Sequence, residues 1–127
     1  MRYVSQKHKN GCAVASLAML TGIGYDKVLK KLHPKLKHRQ QLVGTTLEQT
    51  LRYLYKVKSN FRVVFNKDLK KLKNNAYLSV TTKTGGRHAM VWDAKNQKLI
   101  DPQLPRTYYL TRAYAQKHTN FIIEILD

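Results

Sequence analysis

The feature that most restricts the fold is a run of apolar residues that starts directly after the only cysteine, Cys12. The run extends from Ala13 to Leu20 and is interrupted only by Ser16. Because it is apolar on every side of a helix, it predicts a helix that is buried on most of its faces, as a central core helix is. Asn10-Gly11 predicts a turn before the helix and Gly22 a stop after it, and the run is far too short to span a bilayer. The rest of the chain must therefore fold around one central helix.

Cys12 is thereby placed at the N-terminus of this predicted helix. Unpaired backbone N–H groups and the helix dipole favour an anion at that position, and a thiolate is one. A cysteine in this setting can have a pKa below the free value of about 8.5. The alternative is that Cys12 is a small hydrophobic residue packed in the core, which is the usual fate of a lone cysteine. A single cysteine forms no internal disulfide and builds no cysteine-rich zinc site, so the chain fits a reducing compartment.

Length and composition predict one globular domain that covers residues 1–127. The apolar share of 43% is typical of a globular rather than a disordered chain. No apolar run reaches transmembrane length, and the N-terminus lacks an apolar segment followed by a cleavage site. We therefore expect a cytoplasmic location.

The charge balance is strongly positive, with 24 Lys and Arg against 7 Asp and Glu, a net charge of +17. Such a balance predicts attraction to nucleic acid, to anionic membrane surfaces or to acidic proteins, but it defines neither a fold nor an activity. The stretch 27–41 is the most basic part of the chain. His33 and His38 in this stretch are spaced like metal ligands on a helix, but Pro34 lies between them and no third ligand is evident. We expect solvated loop residues there, and no metal.

The remaining sequence predicts further helices followed by a mostly antiparallel sheet. Cap residues mark four helix starts: Asp26 before Lys27–His33, Thr45 or Thr46 before a stripe of Leu47, Leu51 and Leu54, Asn66 before Lys67–Lys73, and Thr111 before Arg112–Lys117. Glu48 would complete a capping box with Thr45. The predicted strands are Phe61–Phe65, Ala76–Thr82, Arg87–Asp93, Lys98–Asp101 and Thr119–Leu126. This order indicates an α+β fold in which N-terminal helices, with the buried helix that carries Cys12, pack on the sheet.

His88 and Asp101 are predicted to be neighbours in an antiparallel hairpin. His88 follows the Gly85-Gly86 turn near the start of one strand, and Asp101 closes the next strand. Because both are nearly equidistant from the middle of the intervening loop, antiparallel pairing brings them together. A carboxylate beside an imidazole fixes its tautomer, and a histidine held in this way can take the proton of a thiol. Taken singly, His88 also fits an ordinary strand histidine, and Asp101 before Pro102 an ordinary turn residue.

Gln6 is a candidate partner of Cys12, six positions before it. A side-chain amide at Gln6 can fold over the start of the helix, where its N–H and the backbone N–H of Cys12 converge on one point. Such a pair of donors forms an oxyanion hole, which stabilises the charge that develops when a thiolate attacks a carbonyl. Alone, Gln6 also fits a solvated surface amide. The chain order Gln, Cys, His, Asp is nonetheless specific.

This order resembles that of the papain-like cysteine peptidases. The nearest likeness is to the compact bacteriocin-processing peptidases, which cleave double-glycine leader peptides, and to their stand-alone relatives. In that family a Gln shortly precedes the Cys, the Cys opens the central helix, and a His on one strand is followed by Asp-Pro on the next. The corresponding residues are Gln6, Cys12, His88 and Asp101-Pro102. The likeness in element order covers nearly the whole chain, but Ala13 stands where the family usually has a Gly after the Cys.

The resemblance implies a papain-like fold and a cysteine-type hydrolase that cleaves a peptide or isopeptide amide bond. Cys12 would attack the carbonyl carbon, His88 would carry the proton, Asp101 would orient His88, and Gln6 would help to hold the oxyanion. No cofactor is implied, and the expected partner is a peptide or protein substrate, acidic in view of the net charge. Because no transporter segment is present, we do not expect this chain to be a leader peptidase built into an exporter. Trp92, at an even offset from His88, either walls the cleft or packs in the core.

Two other functions stay open on the sequence alone. A basic nucleic-acid-binding or interaction module on the same fold would use the positive surface and would not need Cys12, although no helix-turn-helix, zinc-finger or RNA-recognition signature stands out. An acyl or amine transferase with the same Cys, His and Asp shares its first half-reaction with a hydrolase. Nonspecific nucleic-acid binding is compatible with either kind of enzyme, and the oligomeric state has no signal in the sequence.

Overall fold

The computed structural model describes residues 1–37, 41–103 and 110–127, which form four α-helices and one five-stranded sheet. The helices are α1 (Cys12–Thr21), α2 (Tyr25–Leu32), α3 (Leu47–Lys56) and α4 (Arg112–His118). The strands are β1 (Phe61–Val64), β2 (Ala76–Thr81), β3 (Arg87–Asp93), β4 (Lys98–Ile100) and β5 (Thr119–Ile125), and a short 3-10 turn covers Leu69–Lys71. His38, which the sequence predicts to be a solvated loop residue, lies outside the described residues.

The sheet has the strand order β1-β5-β2-β3-β4, and its described pairings are all antiparallel. The last strand of the chain, β5, lies between β1 and β2, so the C-terminus closes the sheet rather than extending its edge. The prediction of N-terminal helices followed by an antiparallel sheet is confirmed. The β2–β5 register shifts between Ser79 and Val80, and such irregularities re-aim side chains near sites.

Helix α1 is the centre of the structure, as its all-round apolar sequence predicts. Its residues from Ala13 to Met19, including Ser16, are all buried. The helix packs against β3 on one side and against α2 on another. Gly22 ends it in a left-handed conformation with φ 73°, and its N–H donates to the Ala18 carbonyl. Because a left-handed residue strains any side chain, glycine is the residue that suits this stop.

The sheet separates two apolar clusters. The larger cluster joins the inward faces of α1, α2 and α3 to the sheet residues Tyr77, Ala89, Phe121 and Ile123. The smaller cluster covers the opposite face, where Leu78, Met90, Trp92 and Ile122 meet the 3-10 turn and α4. This alternation along β2, β3 and β5 is the period of two that strands impose. Both faces of the sheet are therefore covered, and α1 packs on one of them.

Helix α2 begins before its predicted start, whereas helix α3 begins after Thr46, one of its two predicted caps. Gly24, not Asp26, is the N-cap of α2, because Tyr25 is buried and continues the helix towards the core. Asp26 lies in the first turn and pairs with Lys7 at 3.3 Å. Helix α3 has the capping box Thr46–Gln49 instead of Thr45–Glu48.

The predicted helix over Lys67–Lys73 was also wrong. Asp68, not Asn66, caps the 3-10 turn that replaces it, and Asn66 adopts a positive φ of 53°. A residue in that conformation ends the preceding strand rather than starting a helix. Helix α4 begins after its predicted cap Thr111, whose side chain accepts the N–H of Tyr114.

Candidate active site

Cys12 is the first residue of α1, and its side chain is partly exposed rather than sealed in the core. Gly11 precedes the helix, and the first backbone N–H groups of α1 lack partners within the helix. The sulfur also accepts the backbone N–H of Ala89 on β3, with 3.4 Å between nitrogen and sulfur. Helix α1 and strand β3 together therefore fix the position of the thiol.

Gly11 is required at its position by a close approach. A Cβ atom there would lie 2.2 Å from the Tyr25 hydroxyl oxygen and 3.2 Å from the His8 carbonyl oxygen. Tyr25 in turn contacts His8 through a 2.9 Å hydrogen bond to Nδ1, and the two rings stack. The loop before Cys12 is therefore packed against α2 at a point where only glycine fits without a shift.

His88 and Asp101 form the pair that the hairpin geometry predicts. The last paired residues of β3 and β4 are Val91 and Ile100, and Asp101 follows directly. Its Oδ1 lies 2.8 Å from Nε2 of His88, and both side chains are about nine-tenths buried. An ionised carboxylate accepts, so Nε2 carries the proton and donates. That tautomer leaves Nδ1 of His88 as the basic ring nitrogen.

Asp101 is itself held in place by the main chain. Its Oδ1 also accepts the backbone N–H of Gln103 at 2.8 Å. The N-terminal segment fastens the same loop, because the Tyr3 hydroxyl donates to the Asp101 carbonyl at 3.0 Å and the Gln6 N–H donates to the Pro102 carbonyl at 2.9 Å. The carboxylate thus has a fixed direction before any substrate is bound.

The surroundings of Cys12 favour its thiolate. Burial raises the pKa of the Cys12 thiol, but the hydrogen bond and charge of His88, together with the backbone N–H groups of Ala89 and Ala13, lower it further than burial raises it. The net pKa is below the ordinary value for a thiol. The alternative interpretation of Cys12 as an inert core residue predicts a raised pKa, because an apolar site destabilises the charged form.

Gln6 lies in the loop before α1, but its amide is engaged locally. Its Nε2 donates to the carbonyl oxygens of His8 at 2.9 Å and Lys9 at 3.0 Å, which uses both of its N–H groups. The amide oxygen is buried without a hydrogen-bond partner among the described residues. In this arrangement Gln6 shapes the turn that leads into Cys12, and it does not line the cleft in front of the thiol.

A cleft of about 460 Å³ opens in front of Cys12 and His88. The sheet forms its floor, and the segment that precedes α3 forms one wall. The loop before α1 and the start of β3 form its rim. The residues that line it are Asn10, Cys12, Ala13, Val43, Gly44, Thr45, Thr46, Leu47, Tyr77, Ser79, Arg87, His88, Ala89 and Phe121. A cleft of this size admits several residues of an extended peptide.

Asn10 and Arg87 are cleft residues that the sequence reasoning missed. Asn10 was interpreted only as a turn residue, yet its side chain lines the cleft and its Nδ2 donates to the Leu42 carbonyl at 3.0 Å. Arg87 is exposed beside His88 at the start of β3. The only sequence signal was closeness along the chain, of Asn10 to Cys12 and of Arg87 to His88.

Neither Trp92 nor His33 is among the described residues that line the cleft. Trp92 is fully buried in the smaller apolar cluster and is not among the residues that line the cleft, which confirms core packing. The Nε2 of His33 lies 2.9 Å from the Thr45 hydroxyl, and burial lowers the pKa of His33. Among the described residues, no group of three or more His, Cys, Asp or Glu side chains is arranged to hold a metal ion.

Comparison with known proteins gives matches among solved structures. No protein-family model matches the chain, and no curated protein matches it. Among solved structures, the chain is similar to the peptidase domain of Streptococcus ComA, a bi-functional ABC transporter involved in a quorum-sensing pathway. The TM-score is 0.67, with 19% sequence identity over 98% of each chain. At that identity the likeness establishes the fold, and the papain-like α+β fold predicted from the sequence is confirmed.

No single described helix is long and apolar enough to cross a membrane. The adjacent helices α1 and α2 have the necessary length and apolar composition only when taken together, and the chain bends by 116° between them. The residues of α1 from Ala13 to Met19 are buried inside the protein, as those of a core helix are.

Proposed function

We propose that this protein is a cysteine peptidase that hydrolyses a peptide or isopeptide amide bond. The observation that carries the proposal is the alignment of three groups. Cys12 lies at the start of a buried helix, His88 lowers its pKa, and Asp101 holds His88 through a 2.8 Å contact. Cys12 and His88 both line a cleft, whereas an inert cysteine would need neither an oriented base nor open space. The likeness of fold to a peptidase domain supports the same function.

In the proposed reaction, His88 Nδ1 accepts the proton of Cys12 and the sulfur attacks the carbonyl carbon of the amide bond. The carbonyl π electrons move to oxygen and form an oxyanion. The oxyanion then collapses, the C–N bond breaks, and His88 gives its proton to the leaving amine. Water attacks the resulting thioester, His88 takes a proton from that water, and the thiol leaves with it. Asp101 stays ionised throughout and stabilises the charged form of His88.

The backbone N–H of Cys12 is the first donor of the proposed oxyanion hole, because the helix start leaves it without an intrahelical partner. Gln6 is proposed as the second donor. Its Nε2 must exchange its contact with the carbonyl of His8 or Lys9 for the oxyanion when substrate binds. Asn10 is the alternative donor, because it already lines the cleft and its Nδ2 has a second N–H besides the one donated to Leu42.

A peptide library made from a digested cell lysate tests the proposed function. We expect the wild-type chain to create new peptide N-termini, read by mass spectrometry, and the Cys12→Ala variant to create none. The matched control is His118→Ala, whose histidine stacks on Tyr114 away from the cleft and whose loss leaves cleavage intact. No new termini with the wild type, or equal numbers with Cys12→Ala, would contradict the proposal.

The same digest separates hydrolysis from transfer. Each cleaved peptide is weighed with and without an added primary amine. A hydrolase yields free carboxylates in both samples, whereas a transferase couples the amine to the acyl group and adds its mass. We expect free carboxylates to dominate.

A further inference from the structure

A second cavity adjoins the cleft. Its volume is about 560 Å³, and it lies between the end of α2 and the exposed side of α3. Three residues of the segment 43–46, namely Val43, Gly44 and Thr46, line both this cavity and the cleft. His33 on the cavity side is hydrogen-bonded to Thr45 on the cleft side. The two spaces are therefore neighbours on one surface, separated by a single stretch of chain.

This second cavity is lined by positive charge. Its described lining includes Lys31, Lys35, Arg52 and Lys56 and contains no Asp or Glu. Arg52 is paired with Glu48 at 2.6 Å. Among the described residues, which include all seven acids of the sequence, no carboxylate lies within 4.0 Å of the three lysine ammonium groups. A concave site with uncompensated like charges concentrates its field on an anion.

The side chains that line the second cavity fit a peptide better than a nucleic acid. Tyr53, the one Phe, Tyr or Trp side chain in its described lining, is 1% exposed, so its ring is not available to stack on a base. Val43 is 88% exposed on the segment that separates the two cavities, where it offers an apolar contact to a chain laid across it. Arg87 adds a further positive charge to the cleft, whose described lining also has no acid.

We propose that the second cavity is a subsite of the same enzyme and binds an acidic side chain of the peptide substrate. The inference rests on the proposed function for its substrate, and on continuity with the cleft and charge complementarity for its chemistry. Two touching cavities of these volumes have centres on the order of 10 Å apart, which about three residues of an extended chain span. The preferred substrate therefore carries Glu or Asp about three residues from the scissile bond.

A binding experiment tests the subsite without turnover. The protein is the full chain with Cys12→Ala, and the probes are fluorescein-labelled peptides with four Gly next to four Glu, in both orders, and their Gln counterparts. We expect at least one Glu probe to bind ten-fold more tightly than its Gln counterpart, measured by fluorescence anisotropy. Adding Lys35→Glu and Lys56→Glu should remove that preference.

The matched control has the same change in net charge elsewhere. Lys70 and Lys95 are exposed and line neither cavity, so Lys70→Glu with Lys95→Glu should keep the preference for Glu. Thermal unfolding confirms that both double variants are folded. An equal loss of binding in both double variants would overturn the subsite, because only the overall charge would then matter. A larger loss for a labelled single-stranded DNA probe than for the Glu peptide in Lys35→Glu with Lys56→Glu would overturn it in favour of nucleic acid.

The cleavage library separates this inference from the proposed function. If wild type cleaves peptides with no acidic preference and the Lys35, Lys56 variant binds like the control, the subsite fails and the peptidase stands. If no peptide is cleaved but the Lys35, Lys56 variant alone loses Glu binding, the peptidase fails and the anionic peptide site stands.

Discussion

Asp101 and Glu124 are two largely buried carboxylates beside or within the sheet, and they differ in their hydrogen-bond partners. Asp101, directly after β4, accepts from His88 at 2.8 Å. Glu124 on β5 is 1% exposed and accepts from Arg62 at 3.0 Å and from Asn74 at 2.8 Å. By burial and pairing alone, both look like candidates for a functional site, because perturbed ionisable groups cluster at such sites.

The partner of each carboxylate decides between chemistry and structure. His88 adjoins the thiol of Cys12 and lines a cleft, so a proton can move from sulfur to its ring. Arg62 cannot give up its proton, and it joins β1 to β5 away from both cavities described above. The comparison teaches that a buried ion pair marks a site only when a nucleophile and open space lie within reach.

Replacement of the base gives the largest expected effect. His88→Ala should lower kcat/KM by about 10⁴-fold, because it removes both the acceptor of the thiol proton and the donor to the leaving amine. Steady-state hydrolysis of a peptide from the library measures the change, and His118→Ala should stay at wild-type rate. A loss of less than ten-fold would mean that Cys12 is not activated by His88.

Loss of the orienting charge should have a smaller effect than loss of the base. Asp101→Asn should lower kcat/KM by about 10³-fold, because an amide no longer stabilises the charged form of His88 or fixes its tautomer. Peptide hydrolysis measured across pH checks this expectation. Equal losses in Asp101→Asn and Glu124→Gln would erase the distinction between the two carboxylates.

The oxyanion donor can be identified by a pair of variants. Gln6→Ala should lower kcat by about 10²-fold if Gln6 is the second donor, which is the size of effect that loss of one such donor has. Asn10→Ala should then lower kcat by only a few-fold. The opposite ranking would assign the donor role to Asn10 and leave Gln6 as the residue that shapes the loop before Cys12.

Glu124 should matter for stability and not for chemistry. Glu124→Gln should lower the free energy of unfolding by about 1–3 kcal/mol, because hydrogen bonds to a charged group are weakened while half-exposed Arg62 returns to water. Urea unfolding measures the loss. The alkylation rate of Cys12 in the folded variant should equal that of wild type, and a rate as slow as that of His88→Ala would contradict the assignment.

The pH dependence of stability gives the smallest effect. Burial raises the pKa of Glu124, but hydrogen bonds from Asn74 and Arg62 lower it further, so the net pKa is below its ordinary value. A lowered folded pKa stabilises the protein above the unfolded pKa, and that contribution is lost as pH falls through the folded pKa. The stability difference between wild type and Glu124→Gln should therefore shrink on acidification. A difference that is constant with pH would contradict the ionised pair.

Sequence patterns predicted the features that are decided locally. The all-round apolar run specified α1, the cap Thr111 specified α4, and the bounds of β3 followed from its own composition and the turns around it. The proximity of His88 and Asp101 also followed, because hairpin pairing converts a distance along the chain into a contact.

Tertiary contacts explain what the sequence patterns missed. Thr45 and Thr46 each stand three residues before a side chain that could complete a capping box. The Thr45 hydroxyl is hydrogen-bonded to His33 at the end of α2 instead, and Thr46 caps α3. The start of α2 depends on the burial of Tyr25 against His8. The orientation of the Gln6 amide depends on its hydrogen bonds to two carbonyl groups of its own loop. The second cavity was not foreseen either, since it combines residues from α2, α3 and the segment between them.

The central claim is that His88 activates Cys12, and the pH dependence of alkylation tests it most directly. Because the chain has one cysteine, intact mass after treatment with iodoacetamide reports on Cys12 alone. We predict rapid labelling of folded wild type well below the free-thiol pKa of about 8.5, and labelling of His88→Ala that rises only near that value. Coincident profiles for wild type and His88→Ala, or no labelling of the folded wild type, would contradict the claim.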